Sequence, residues 1–492
     1  MGQDVDHQEF SGEDRRRYRA KVRRCLDVLA RMLTERDFSV GEPLVGIEIE
    51  FNLADENGDA AMTSGETLAA IADEDFQTEL GRYNLEINVP PRPIAGRGFA
   101  DLEKTLRDDL NEAERKAAAT GSGLVMVGIL PTVGEEHFSR EAIAPDPRYT
   151  LLSEQILAAR GEDIEILIDG VDRLDMRTDT IMPEAACTST QLHLQVAPER
   201  FAAVWNAAQA IAGVQAATAA NSPFLLGRQL WHETRIPLFE QSTDTRSEEL
   251  KAQGVRPRVF FGERWVTSVF DLFEENVRYY PALLPIVDDE DPIEVMAAGG
   301  VPQLGELRLH NGTIYRWNRP IYDVVDGRPH LRVENRLLPA GPTVVDTVAN
   351  AALFYGLVSA MASADRPVWS RMPFAVASDN FYAAARRGIE AEQRWPGLGT
   401  VRVRDLVLHH LLPLAAEGLD RLGVDGAVRD RSLEVIERRC ALGVNGATWQ
   451  IDAADAFDRA SDPQAAMRRL VRAYRERMHE GEPVHSWSLP TG

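Results

Sequence analysis

Polar and apolar residues alternate along several short stretches of this chain, and the polar partners are of an unusual kind. In 46–53, Ile47, Ile49, Phe51 and Leu53 point one way at the two-residue period of a strand, and Glu48, Glu50 and Asn52 point the other. In 83–89, Glu86 and Asn88 stand opposite Leu85, Ile87 and Val89, and in 191–196 His193 stands opposite Leu192, Leu194 and Val196. The stretch 306–310 alternates Glu306, Arg308 and His310 with Leu307 and Leu309, and 331–336 offers Arg332, Glu334 and Arg336. A sheet with one solvated face alternates in the same way. Such a face is usually filled with Thr, Lys, Ser and Gln, whereas Glu, His and Arg recur here. The pattern predicts strands of one sheet whose polar face gathers acids and bases, a composition suited to metal and phosphate.

Helical periodicity marks other segments. In 12–34, Tyr18, Val22, Cys25, Leu26, Leu29 and Leu33 form an apolar stripe opposite solvated arginines. Helices are also predicted over 102–119 and over the Ala-rich 201–221. The run 348–364 is apolar but interrupted by Asn350 and bounded by Asp346 and Asp365, so it reads as a buried helix and not a membrane span. Asn57-Gly58 predicts a hairpin turn after the first strand. An apolar strand is expected over 123–130, and 226–246, which mixes Arg, Trp, His, Glu and Thr without period, suits a binding loop. From 378 onward the chain reads as helical. The expected organisation is α+β: a helical segment over 1–40, a catalytic core over 41–375, and helices over 376–492 packed on that core.

The net charge of -23 disfavours nucleic acid and anionic membranes as partners, and an anionic substrate would need local cations to enter. Lysine occurs only at Lys21, Lys104, Lys116 and Lys251, with no Gly-Lys pair, so the P-loop signature is absent. Cys25, Cys187 and Cys440 are odd in number and widely spaced, which makes neither a disulfide framework nor a zinc motif. The acidic residues 1–13 lack the apolar core of a signal peptide, and a cytoplasmic location is expected.

GIEIE at 46–50, NLEIN at 84–88, STQLHLQV at 189–196, the stretch from Asn221 to Arg235, TIYRWNRP at 313–320 and RVENR at 332–336 occur in a telling order. Together they resemble the glutamate–cysteine ligase family, and within it the bacterial carboxylate–amine ligase group, over 44–352. The resemblance implies a glutamine synthetase-like fold: a curved antiparallel sheet with one polar active face, backed by helices. It also implies ATP-dependent ligation, in which a substrate γ-carboxylate is phosphorylated and an amine displaces the phosphate. Glutamate is the implied acid and cysteine the implied amine, with ATP and magnesium or manganese as cofactors.

By the same resemblance Glu48, Glu50, Glu86 and Glu334 match metal-binding acids, and Arg336 matches a phosphate-binding base. His193 and Arg332 match groups near the nucleotide, and Arg235 a substrate or phosphate contact. Trp231, Trp317 and Arg319 read as packing, and Cys187 as a buried thiol. Gln195 departs from the family pattern. Two alternatives share these residues: the same chemistry on another acid or amine, and a metal-dependent hydrolase using the same carboxylates.

Overall fold

In the computed structural model, which describes residues 10–36, 38 and 41–490, seven strands form one antiparallel sheet. In chain order they are β1 (Leu44–Ala54), β2 (Phe76–Thr78), β3 (Asn84–Pro93), β4 (Gly123–Val125), β5 (Ser189–Gln195), β6 (Asn318–Val325) and β7 (Arg328–Pro339). Across the sheet the order is β6-β7-β5-β1-β3-β2, with β4 pairing the end of β1. The sheet is curled, as the sequence resemblance implied.

Register follows from the alternation. Glu50 of β1 lies directly opposite Glu86 of β3, and Glu48 opposite both Asn88 of β3 and Gln191 of β5. Glu334 of β7 lies opposite His193 of β5 and Arg319 of β6. One extra residue on β7 between Asn335 and Leu338 makes a bulge beside Arg336, a device that re-aims side chains at the edge of a site. Asp326 and Gly327 close the β6–β7 hairpin with φ of 51° and 72°, the pair of positive angles that a tight two-residue turn requires.

The opposite face of the sheet is covered by helices. Pro198–Ala210 and Ala212–Ala219 lie behind β7, and Val344–Ala362 lies behind β5. The hydroxyl of Tyr355 donates to the carbonyl of His193 at 3.0 Å, so the long helix holds the backbone directly beneath a polar-face residue. A buried amide chain does the same for the hairpin: Gln215 donates to Asn335 at 3.1 Å, and Asn335 donates to Asn318 at 2.7 Å. The main hydrophobic cluster runs without a break from Tyr18 to Trp487, joining the N-terminal helix Gly12–Glu35 and the C-terminal helices to the sheet. Val344–Ala362 has the length and hydropathy of a membrane span, but 89% of that stretch is buried inside the fold.

Several expectations are corrected. Residues 306–310 are not a strand but part of the helix Gly305–Gly312. A five-residue alternation also places Glu306 and His310 four apart on one helix face. There Glu306 pairs with Lys21 at 3.1 Å, and His310 Nε2 lies 2.9 Å from the Asn276 carbonyl. The predicted strand 123–130 keeps only its first three residues in the sheet, and the helix over 201–221 breaks at Ile211. The supposed loop 226–246 contains the buried helix Arg235–Ser242, and the C-terminal region includes a hairpin of Glu392–Trp395 with Gly399–Arg402.

Among the ion pairs that fasten the C-terminal helices, one is fully buried. Arg439 and Asp346 meet at 2.8 Å with 1% and 0% of their side chains exposed, and Arg439 also donates to Thr218 O at 3.1 Å. Removing one member of such a pair strands the other charge in a dry interior. Arg439→Met should therefore cost about 3–5 kcal/mol of unfolding free energy in urea denaturation. A loss below about 1 kcal/mol would show that Asp346 finds another partner or a proton.

Candidate active site

The polar face concentrates its acids in two adjacent triads. Ligand atoms of Glu48, His193 and Glu334 lie within 4.8 Å of one another, and so do those of Glu50, Glu79 and Glu86. The first triad draws on β1, β5 and β7, and the second on β1, β3 and the residue just after β2. All four predicted acids thus converge on one face. They separate into two groups, and Glu79, absent from the sequence reading, completes the second.

Their electrostatics differ. Glu334 is held well below the usual carboxylate range: burial acts against this, but the Arg319 and Arg336 guanidiniums outweigh it. Arg319 Nη2 donates to Glu334 at 2.9 Å, so Arg319, expected as packing, positions a site acid. Glu48 is likewise lowered, because His193, 3.0 Å away, more than offsets the cost of burial. His193 is oriented from behind: Arg332 Nε donates to its Nδ1 at 3.1 Å, which leaves the other ring nitrogen facing Glu48.

In the second triad compensation falls short of burial. Burial pushes Glu79 up to about 8, with Glu50 adding to the effect, and raises Glu86 well above the usual value. Glu50 is raised as well, although Arg336 and the Ser189 N–H, which donates to it at 2.7 Å, oppose the burial. Three buried carboxylates facing one another either keep protons or need a cation.

Arg336 connects the two groups. It donates to Gln191, whose amide donates onward to Glu50 at 2.9 Å, and it lies 3.4 Å from Glu334. Four carboxylates raise its pKa further despite burial, so it stays a cation. Its Nε is buried without a partner. Arg235 is no surface ion pair: it is 2% exposed, bonds Glu233 at 3.1 Å and donates to the Leu337 carbonyl, bracing the bulged end of β7. Beside the triads a cleft is lined by Glu50, Glu79, Glu184, Cys187, Arg235 and Arg336, among others. Cys187 lines it as a thiol that burial pushes well above its ordinary pKa, with no role as a nucleophile. Glu184, also missed from sequence, is raised to about 7 by burial and by Glu50. Neither Glu79 nor Glu184 carried a readable signal, since one follows a three-residue strand and the other lies on the short 3-10 turn Met182–Ala186.

The donor chemistry fits hard divalent cations. Five carboxylates offer oxygen ligands of the kind magnesium and manganese prefer, and one imidazole adds a ring nitrogen. Two such ions side by side, next to a permanent guanidinium, would make a receptor for a polyphosphate.

The model of glutamate-cysteine ligase family 2 matches residues 44–476. The chain belongs to this family. Its fold is similar to that of glutamate–cysteine ligase from Francisella tularensis, solved in complex with AMP, with a TM-score of 0.53 and 13% identity over 92% of this chain and 91% of that one. A bifunctional glutathione synthetase from Pasteurella multocida is also similar, with a TM-score of 0.47 and 10% identity over 94% of this chain and 55% of that one. No protein of curated function matches the sequence. Family membership makes the chain an amino-acid ligase, and the Francisella tularensis structure speaks for the fold.

The second triad makes stability depend on pH in a defined direction. A carboxyl whose pKa is higher in the folded chain binds more protons when folded. Its stabilising contribution is full below the unfolded value and is lost as pH rises through the folded one. For Glu79 that window runs from 4.5 to about 8. With a chelator present, the melting temperature should fall across this window. Excess magnesium should remove most of the fall, and Glu79→Gln should flatten the chelator curve. A magnesium gain of equal size at pH 5 and pH 8.5 would deny the triad a role in metal binding.

Proposed function

We propose that the chain is an ATP-dependent carboxylate–amine ligase that joins the γ-carboxylate of glutamate to the amine of cysteine through an acyl phosphate. The observation that carries this reading is the pair of triads with Arg336 between them. Phosphoryl transfer asks mainly for positioning and for neutralisation of charge on the transferred group. In this reading Glu48 and Glu334, with His193, hold one divalent cation, and Glu50, Glu79 and Glu86 hold another. When bound, such cations draw the phosphates in against the net charge of -23 and neutralise charge on the oxygens.

The chain's own residues do the rest. Arg336 offers a planar fork to the transferring phosphoryl oxygens, and its orphaned Nε is a donor without a protein acceptor. Arg319 keeps Glu334 ionised and aimed. Arg332 keeps His193 turned toward Glu48, and Arg235 holds the β7 bulge that aims Arg336. The carboxylate oxygen of the acid attacks the γ-phosphorus, ADP leaves, and the amine then displaces phosphate from the acyl carbon. A phosphate-binding arginine between the triads favours this over simple hydrolysis, which would leave Arg336 nothing to hold.

Arg336→Lys keeps the charge and loses the fork. Turnover should fall at least about tenfold, equivalent to about 1.4 kcal/mol in barrier, with the melting temperature little changed. Near-normal turnover would make Arg336 a structural partner of Glu334.

The reaction itself is read with a trap. Protein with magnesium in excess of ATP, glutamate and hydroxylamine should yield a hydroxamate with ADP and phosphate, and cysteine in place of hydroxylamine should yield the γ-glutamyl dipeptide. Hydroxamate without reaction of cysteine would keep the ligase and change its amine. Release of AMP and pyrophosphate would reject the acyl phosphate. No nucleotide turnover with any acid and amine pair would favour the hydrolase.

A further inference from the structure

The cleft beside the triads is lined by groups of both signs. Arg235 and Arg336 line it with guanidiniums. Glu184 and Asn84 line it with acceptors. Glu184 belongs to neither triad, and among the described residues its side chain has no hydrogen bond or ion pair. The rigid turn Met182–Ala186, with Pro183 at its start, fixes where it points. Asn84 is 2% exposed and gives its amide N–H to Asn52 at 3.0 Å, yet its Oδ1 is buried without a partner. Gly81 keeps that oxygen uncovered: a Cβ there would fall 2.3 Å from it.

A buried acceptor left without a donor is costly, so it marks a place where a ligand supplies the donor. Glu184 asks in addition for positive charge. The triads already account for the cations that Glu50 and Glu79 attract, and an amide oxygen with one free carboxylate suits an ammonium, which brings three donors. Leu80, Ala185 and Phe239 add apolar surface to the same lining, fitting a short methylene chain.

We propose that Glu184 and Asn84 bind the α-ammonium of the acid substrate, so that the site selects an α-amino acid with an acidic side chain over a plain dicarboxylate. This rests on the ligase reading and adds a residue that decides specificity. The substrate's ammonium sits at Glu184, its methylenes cross the apolar wall, and its terminal carboxylate reaches Arg336 and the triads.

Glutarate is glutamate without the amine, and it tests the contact directly. Binding of both ligands is measured by calorimetry, with excess magnesium and a non-hydrolysable ATP analogue, for wild type and Glu184→Gln. The substitution should weaken glutamate at least about tenfold and glutarate less than about twofold, the signature of a charged hydrogen bond made to the amine alone. Retained glutarate binding also shows that the variant is folded. Equal weakening of both ligands, unchanged glutamate affinity, or failure of the wild type to bind glutamate would each overturn the assignment. Turnover separates the two levels. If the wild type forms ADP with glutamate and an amine while the variant weakens both ligands equally, the ammonium contact falls and the ligase stands. If no acid and amine pair yields ADP, the ligase reading falls, and the ratio of the two affinities still decides what Glu184 binds.

Discussion

Everything on the polar face is organised by the repulsion among Glu50, Glu79 and Glu86. These carboxylates lie within reach of a single ion, and Arg336, which opposes burial at Glu50 and Glu79, does not bring them down as it and Arg319 bring down Glu334. Such an arrangement is costly by itself, and the fold carries it because the rest of the structure is overdetermined. The sheet register sets Glu50 against Glu86, and the helices behind leave β1, β3 and β5 no freedom to slide. The strain that a cation would relieve is thus stored by the core.

The two triads divide the labour through their surroundings. Glu48 and Glu334 stay ionised because His193, Arg319 and Arg336 stand against them. Glu79 and Glu86 resist ionisation, so the second triad is the pH-sensitive half of the site. Arg336 couples the halves through Gln191 and Glu50, and the register of β7 against β5 sets it opposite Gln191 at the bulge. Arginine serves throughout where lysine would not, since each of these positions uses either a planar fork or a charge that burial cannot remove.

The back of the sheet is as specific as the front. Tyr355 bonds the carbonyl of His193, and the chain of Gln215, Asn335 and Asn318 pins the hairpin that carries Glu334 and Arg319. Buried amides are tolerated there because each finds a partner, and they restrict the hairpin to one register. Precision at the site is therefore maintained from the side that no substrate touches.

The sequence by itself determined the strands of the sheet and which of their residues face the site. Period-two alternation over 46–53, 83–89, 191–196 and 331–336 leaves Glu48, Glu50, Glu86, His193, Glu334 and Arg336 no other face once their apolar neighbours are buried. The same logic failed at 306–310, where five residues satisfy both the strand period and a helix turn, and packing against Tyr18 and Lys21 chose the helix. Glu79 and Glu184 were invisible because no periodicity reaches the end of a three-residue strand or a single turn. Only the path of the chain brings Glu79 against Glu50 and leaves Glu184 without a partner in the cleft. Arg319 and Arg235 were legible as residues but not as roles, since what an arginine does depends on which acid or carbonyl the tertiary fold sets before it. Local pattern decides the face on which a side chain lies, and long-range packing decides what it meets there.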